Sequence, residues 1–263
     1  MSAAQIVLAI LSGGAVGLSL GLIGGGGSIL AVPLMVYVVG ISSPHVAIGT
    51  SAVAVAASAL ANLFGHARDR NVKWPCASVF ALFGIGGAAL GAALGKAMDG
   101  GRLLALFGLV MLAVASLMLR RRKGGGDIDV HLDAGSARRL LPPLAASGFG
   151  VGALSGFFGI GGGFLIVPGL VSATEMPLLN AIGSSLVSVA AFGATTAVSY
   201  ALSGLVDWTL AGLFIAGGVL GGVAGRRVAA SLATNQRTLA LVFSGVVALV
   251  GLYVVAKGIT SLI

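Results

Sequence analysis

Sixty-seven residues pass before the first Asp, Glu, Lys or Arg, since none occurs from Met1 to Ala67. A soluble domain solvates its surface with charged side chains, about 25% of its residues. Here they are 8% of 263 residues, 57% are hydrophobic, and the mean hydropathy is +1.09. The chain reads as an all-α polytopic membrane protein, because helices satisfy their own backbone hydrogen bonds in lipid. Its 15 Lys and Arg outnumber 7 Asp and Glu, which reads as the positive-inside bias of cytoplasmic loops rather than a nucleic-acid footprint. The single cysteine, Cys76, excludes an intrachain disulfide and a thiolate cluster. The first residues lack the basic stretch that opens a cleaved signal peptide, so none is expected.

Apolar stretches fall at residues 4–23, 28–41, 46–64, 74–94 and 103–119, then at 140–158, 164–174, 178–203, 208–225 and 238–256. About 20 helical residues cross a hydrocarbon core of about 30 Å. The second stretch of each set, 14 and 11 residues long, is too short and is expected to be a half-helix. Residues 120–139 hold nine of the 22 charged residues. They read as a charged cytoplasmic linker between a first membrane repeat, 1–119, and a second, 140–263.

The halves repeat each other. A shift of 135 lays Gly21 to Pro33 (GLIGGGGSILAVP) on Gly156 to Pro168 (GFFGIGGGFLIVP) with seven identities in 13, and a shift of 134 lays AIGTSAVAVAA from Ala47 on AIGSSLVSVAA from Ala181 with eight in 11. Trp74 then meets Trp208, and Gly84, Gly87 and Gly91 meet Gly218, Gly221 and Gly225. If each Gly-rich turn starts a returning half-helix, each half is a Gly-hinged, re-entrant or broken helical hairpin plus three transmembrane helices, and the repeat is inverted. Twelve Lys and Arg then share the face of the linker and three lie opposite; long kinked spans would give ten and five. The charge rule favours the hairpin, with the termini external.

The hinges are the strongest local signal: Gly24, Gly25, Gly26, Gly27 and Ser28 in the first half, Gly159, Gly161, Gly162 and Gly163 in the second, where Ile160 replaces Gly25. Irregular backbone at membrane depth is tolerated only inside protein or along a cavity. Glycine brings N–H groups close to a ligand, and the half-helices present positive dipole ends there. An anion site is one reading, and a tight structural hairpin the other. Thr50, Ser51, Ser184 and Ser185 recur at one repeat position and are the candidate hydroxyl donors. Ser58, Asn62, His66 and Ser188 form polar positions that either line a pathway or proton relay or bond to backbone carbonyls in helix packing. His45 and His66, near segment ends, read as interfacial. No paired carboxylates, nucleophile set or metal cluster lies within the spans, so neither an enzyme, a cofactor nor a metal site is expected. Gly87, Gly91, Gly221 and Gly225 read as helix-packing faces.

GLIGGGGSILAVPLM and GFFGIGGGFLIVPGL, followed by AIGTS and AIGSS, resemble the sulfite exporter TauE/SafE family of membrane permeases from about Gly13 to Gly258. The resemblance implies export of sulfite, a sulfonate or another small organosulfur anion across the cytoplasmic (inner) membrane, coupled to protons. The expectation is a secondary transporter working by alternating access, with a small anionic substrate and the lipid bilayer as partners and no nucleic acid. The alternative is a passive anion channel or a permease for another small oxyanion.

Overall fold

The computed structural model describes residues 2–120, 137–159, 163–232, 245 and 248–257. Its elements are α1 (Ala3–Ile23), a 3-10 stretch (Gly24–Leu30), a short α2 (Ala31–Pro33), a π-helical turn (Leu34–Val38), α3 (Pro44–Arg68), α4 (Trp74–Ala97), α5 (Gly100–Arg120), α6 (Ala137–Phe158), α7 (Gly163–Thr174), α8 (Leu178–Ala201), α9 (Trp208–Leu232) and α10 (Ala248–Lys257). Among the described residues there is no strand, and six helical stretches are long and apolar enough to cross a membrane. Helix starts follow from local chemistry. Ser2 and Gln5 form a reciprocal capping box on α1, and Ser43 caps α3 ahead of Pro44 at its first turn. Helix reaches both ends of the expected linker, Arg120 closing α5 and Ala137 to Arg139 opening α6. Residues 121–136 lie outside the described residues.

The 36 residues Ala3–Val38 form one helical stretch, which if straight would hold Ala9 and Val39 about 45 Å apart. The two share a buried cluster with Leu210, and a Cβ on Gly27 would meet the backbone of Ser19 and Leu20. The chain therefore doubles back after Ile23, as the hairpin reading expects. The returning arm is not the plain half-helix expected. Its glycines wind as 3-10, and beyond Pro33 the pitch loosens until Val39 N–H reaches the carbonyl of Leu34, 2.9 Å away. Pro33 has no N–H to give the carbonyl of Ile29 and marks the change. The second arm also doubles back, since a Cβ on Gly169 of α7 would lie 3.4 Å from Val151 of α6.

The closest helix pairs each join one helix from each half. On α1, Gly13, Gly17 and Gly21 face the carbonyls of Phe214, Gly218 and Gly222 on α9; on α6, Gly148, Gly152 and Gly156 face those of Phe80, Gly84 and Ala88 on α4. A row of glycines one turn apart lets backbones touch, with Cα–H groups against carbonyl oxygens. Both pairs run parallel. Between them α3 and α8 cross antiparallel: a Cβ on Gly49 would lie 2.9 Å from Tyr200, one on Gly193 3.1 Å from Ala56, and one on Gly183 3.2 Å from Asn71. Gly100 of α5 lies against Pro44, so α5 runs with α3 and the end of α3 near His66 shares its side with the linker.

Candidate functional site

Each hinge turns on one glycine in the left-handed region, Gly24 at φ 69° and Gly159 at φ 67°, and these are repeat counterparts. Each is seated on the other half. A Cβ on Gly24 would lie 2.8 Å from Ile182 and 3.1 Å from the Ser185 hydroxyl, and one on Gly159 would collide with Ile48. Ile48 and Ile182 are themselves counterparts on α3 and α8. Close approach and positive φ both demand glycine at these two positions.

Hydrogen bonds fix the seat. Gly25 N–H donates to Ser185 Oγ at 3.1 Å, while Ser185 Oγ donates to the Ile182 carbonyl at 2.7 Å. Ser28 Oγ donates to the Gly25 carbonyl at 2.9 Å. Ser51, the counterpart of Ser185, donates to the Ile48 carbonyl at 3.0 Å. The residue matching Gly25 is Ile160, and Ile160, Gly161 and Gly162 lie outside the described residues. Gly24 to Ser28 are all buried, and the 3-10 stretch packs on α7 and α8.

Thr50 and Ser184 hold the loops that precede α9 and α4. Thr50 Oγ1 accepts from Asp207 N–H at 2.9 Å, and Ser184 Oγ accepts from Lys73 N–H at 2.9 Å. Donors and acceptors are both related by the 134-residue shift. Nothing in the sequence of either helix alone revealed this pairing, because the partners lie in opposite halves.

Ser58 and Asn62 of α3 face α9. A Cβ on Gly218 of α9 would meet Ser58 Oγ, and one on Gly222 would lie 2.8 Å from Asn62 Oδ1. Asn62 Nδ2 donates to the Ser58 carbonyl at 2.9 Å. His66 is 6% exposed, enclosed by protein where its place near a helix end suggested a solvated interface. Ser188 is buried with no hydrogen-bond partner. Sequence reasoning missed Arg226, whose guanidinium lies where a Cβ on Gly65 would stand. It was read only as a charge on one face. Among the described residues no three His, Cys, Asp or Glu side chains converge as metal ligands would.

The family model for the sulfite exporter TauE/SafE matches residues 9–254. The chain belongs to that family. It is 49% identical over 263 residues, all of both chains, to a "Probable membrane transporter protein" of Xylella fastidiosa (strain 9a5c). It is 28% identical over 278 residues, 99% of this chain and 100% of the relative, to "Probable membrane transporter protein YunE" of Bacillus subtilis (strain 168). A third relative, "Probable membrane transporter protein MJ0441" of Methanocaldococcus jannaschii, is 30% identical over 68% of this chain and 66% of its own. No solved structure matches. The chain is an integral membrane protein of a transporter family.

Proposed function

We propose that this transporter exports a small oxyanion, sulfite or an organosulfonate, across the cytoplasmic membrane by proton-coupled alternating access. The observation that carries the reading is the matched pair of hinges, each a positive-φ glycine seated on the Ile-Gly-hydroxyl-Ser start of the other half's central helix. The substrate is assigned to Gly24, Gly25, Gly26, Gly27, Ser28, Thr50 and Ser51, with Gly159, Gly161, Gly162, Gly163, Ser184 and Ser185. Backbone N–H groups, hydroxyls and helix dipoles favour an anion there, and no Lys or Arg occurs in residues 1–67 or 140–205, the stretches that build the hinges. Recognition without a full cation holds the anion loosely enough to release it.

The two halves are read as an inverted repeat. The antiparallel crossing of the counterparts α3 and α8 supports this, as do the matched pairs α1 with α9 and α6 with α4. The loop of Arg68 to Lys73, residues 120–139 and Arg226 to Arg237 then face the cytoplasm and both termini the outside, in accord with the charge rule. Single cysteines at Ser2 and Gly125 in a Cys76→Ala background test the orientation. Labelling of the Gly125 position from outside intact cells overturns it.

Sulfite counterflow in proteoliposomes tests the function. Saturable exchange that falls sharply in Gly26→Ala is expected. Sulfite conductance with no counterflow would make the protein a channel, and selective binding of an organic cation would remove the anion reading.

A further inference from the structure

Beyond the hinges, α3 and α8 bury polar groups that the hinge site does not use. Both ring nitrogens of His66 and Oδ1 of Asn62 have no hydrogen-bond partner, although His66 is 6% and Asn62 2% exposed. Their counterparts 134 residues on, Tyr200 and Thr196, are fully buried, at 0%, and both hydroxyls again have no partner. An unsatisfied buried group costs about 1–3 kcal/mol. The cost is carried at matched places in both halves, which points to a ligand rather than to chance in packing.

Each cluster also holds one cation. Arg226 of α9 lays its guanidinium on α3 at Gly65, and its Nε has no partner. Lys96 of α4 reaches α8 at Ser199, the counterpart of Gly65, and its Nζ donates to the Ser199 carbonyl and to Ser203 Oγ, each at 3.0 Å, while lying 5.8 Å from the centre of the Tyr200 ring. The cations are not counterparts themselves: Arg226 corresponds to Ala92, one helical turn before Lys96. The two halves bring positive charge to the same spot from different turns. Aligning the repeats residue by residue therefore conceals the likeness.

We propose that Asn62, His66 and Arg226 form an oxyanion-binding station at the linker-side end of α3, and Thr196, Tyr200 and Lys96 a second one at the opposite end of the α3–α8 pair. The proposal rests on the oxyanion reading above and extends it, giving the anion one charged stop at each end of the paired helices α3 and α8. An Arg guanidinium offers a planar pair of donors to an oxyanion, and the His ring N–H adds another. Asn62 Oδ1, which can only accept, takes the O–H of a protonated oxyanion such as hydrogen sulfite. In this conformation both stations are closed, their unpartnered atoms sealed among helices. On the linker side, parting α3 from α9 opens the station, and at Gly218 and Gly222 α9 has no side chain to hinder it.

The test is sulfite titration of the purified full-length protein by calorimetry, together with sulfite counterflow in proteoliposomes. Arg226→Gln and Lys96→Gln are each expected to weaken sulfite binding or raise the half-saturating concentration about tenfold, the worth of a charge-assisted hydrogen bond. Arg226→Lys should keep most of the effect of charge, and His66→Gln should fall between. Gln variants that stay monodisperse on size exclusion and bind and transport sulfite as the wild type does overturn the proposal. If Arg226→Gln does not fold, His66→Gln carries the test, and unchanged sulfite affinity in it overturns the linker-side station. Loss in Ser185→Ala and Gly26→Ala with none in the cation variants leaves the hinge reading standing and removes the stations, and the reverse pattern does the opposite. Adding phosphatidylglycerol to the detergent separates free anion from lipid phosphate. Sulfite binding that the lipid displaces in the wild type but not in Arg226→Gln assigns the cluster to a headgroup and overturns the proposal.

Discussion

Glycine does two different jobs in this protein, and the contrast between the hinges and the paired outer helices separates them. At Gly24 and Gly159 the backbone itself is unusual, with φ of 69° and 67°, and a side chain of the opposite half presses on each turn. Along α1 with α9 and α4 with α6 the backbone is ordinary helix. There the missing Cβ makes room for a neighbour's carbonyl. A methyl added in the first region strains one turn, whereas in the second it pries apart two helices over their whole contact. Damage to the helix pairs should therefore appear first as lost protein, and damage to the hinges as lost transport.

The largest effect is expected at the pairs. A Cβ on Gly91 would collide with the carbonyl of Ala153 and lie 2.8 Å from the Phe157 nitrogen, all of it backbone that cannot turn aside. Overpacking costs about 1–3 kcal/mol or more, and Gly91→Leu, which adds a whole side chain, should abolish recovery of monodisperse protein on size exclusion. Gly24→Ala comes next. The backbone there, φ 69° with ψ −142°, lies in a region nearly reserved for glycine and costs an Ala about 1–3 kcal/mol, to which the contact with Ile182 adds. Transport per folded molecule should collapse while most of the protein is still recovered. Gly24→Ala combined with Ile182→Ala removes the contact with the Ile182 side chain and leaves the backbone part and the contact with the Ile182 carbonyl, 2.9 Å away. Full recovery of counterflow in that double variant would show that φ does not matter and would break the contrast.

Much of this was legible before any coordinates. The apolar stretches located the helices because lipid leaves a chain few other choices. The hinges were legible because four consecutive glycines in apolar sequence have little other use. The packing role of Gly87, Gly91, Gly221 and Gly225 followed from their four-residue spacing, but which helix they met did not. Gly221 lies against Gly14 and Gly225 against Leu18, contacts between halves about 200 residues apart, which no local pattern encodes. The same limit hid the bonds of Thr50 and Ser184 to loops in the other half. His66 showed the limit of position along a helix. Its place near the end of α3 suggested solvent, yet the glycine face of α9 lets that helix come close enough to seal it in.

Those two hydroxyl bonds give the third expectation. Thr50→Val and Ser184→Ala each leave a loop N–H, of Asp207 or Lys73 respectively, without its acceptor. Because both sites are only partly buried, each loss should be near the lower end of the usual range, about 1 kcal/mol, read as a lower midpoint in a size-exclusion thermal series. Equal losses are expected because the bonds are equal in length, 2.9 Å each. If Thr50→Val instead weakens sulfite binding with no loss of stability, its hydroxyl serves the ligand, as its assignment to the substrate site has it, more than the loop.

The smallest effect sharpens the comparison most. Gly86 and Gly87 are neighbours on α4, yet a Cβ on Gly87 would collide with the Phe149 carbonyl of α6, whereas one on Gly86 meets nothing within 4 Å. Successive helical residues point about 100° apart, so one faces the partner and the next faces outward. Gly86→Ala therefore adds a methyl to open space and removes the conformational freedom that makes glycine costly in a helix, by up to about 1 kcal/mol. Expression and counterflow should equal or slightly exceed the wild type, while Gly87→Ala loses protein. Equal losses at both positions would mean that α4 has a second close neighbour on its outer face, such as another copy of the chain. The row of glycines would then be serving two interfaces rather than one.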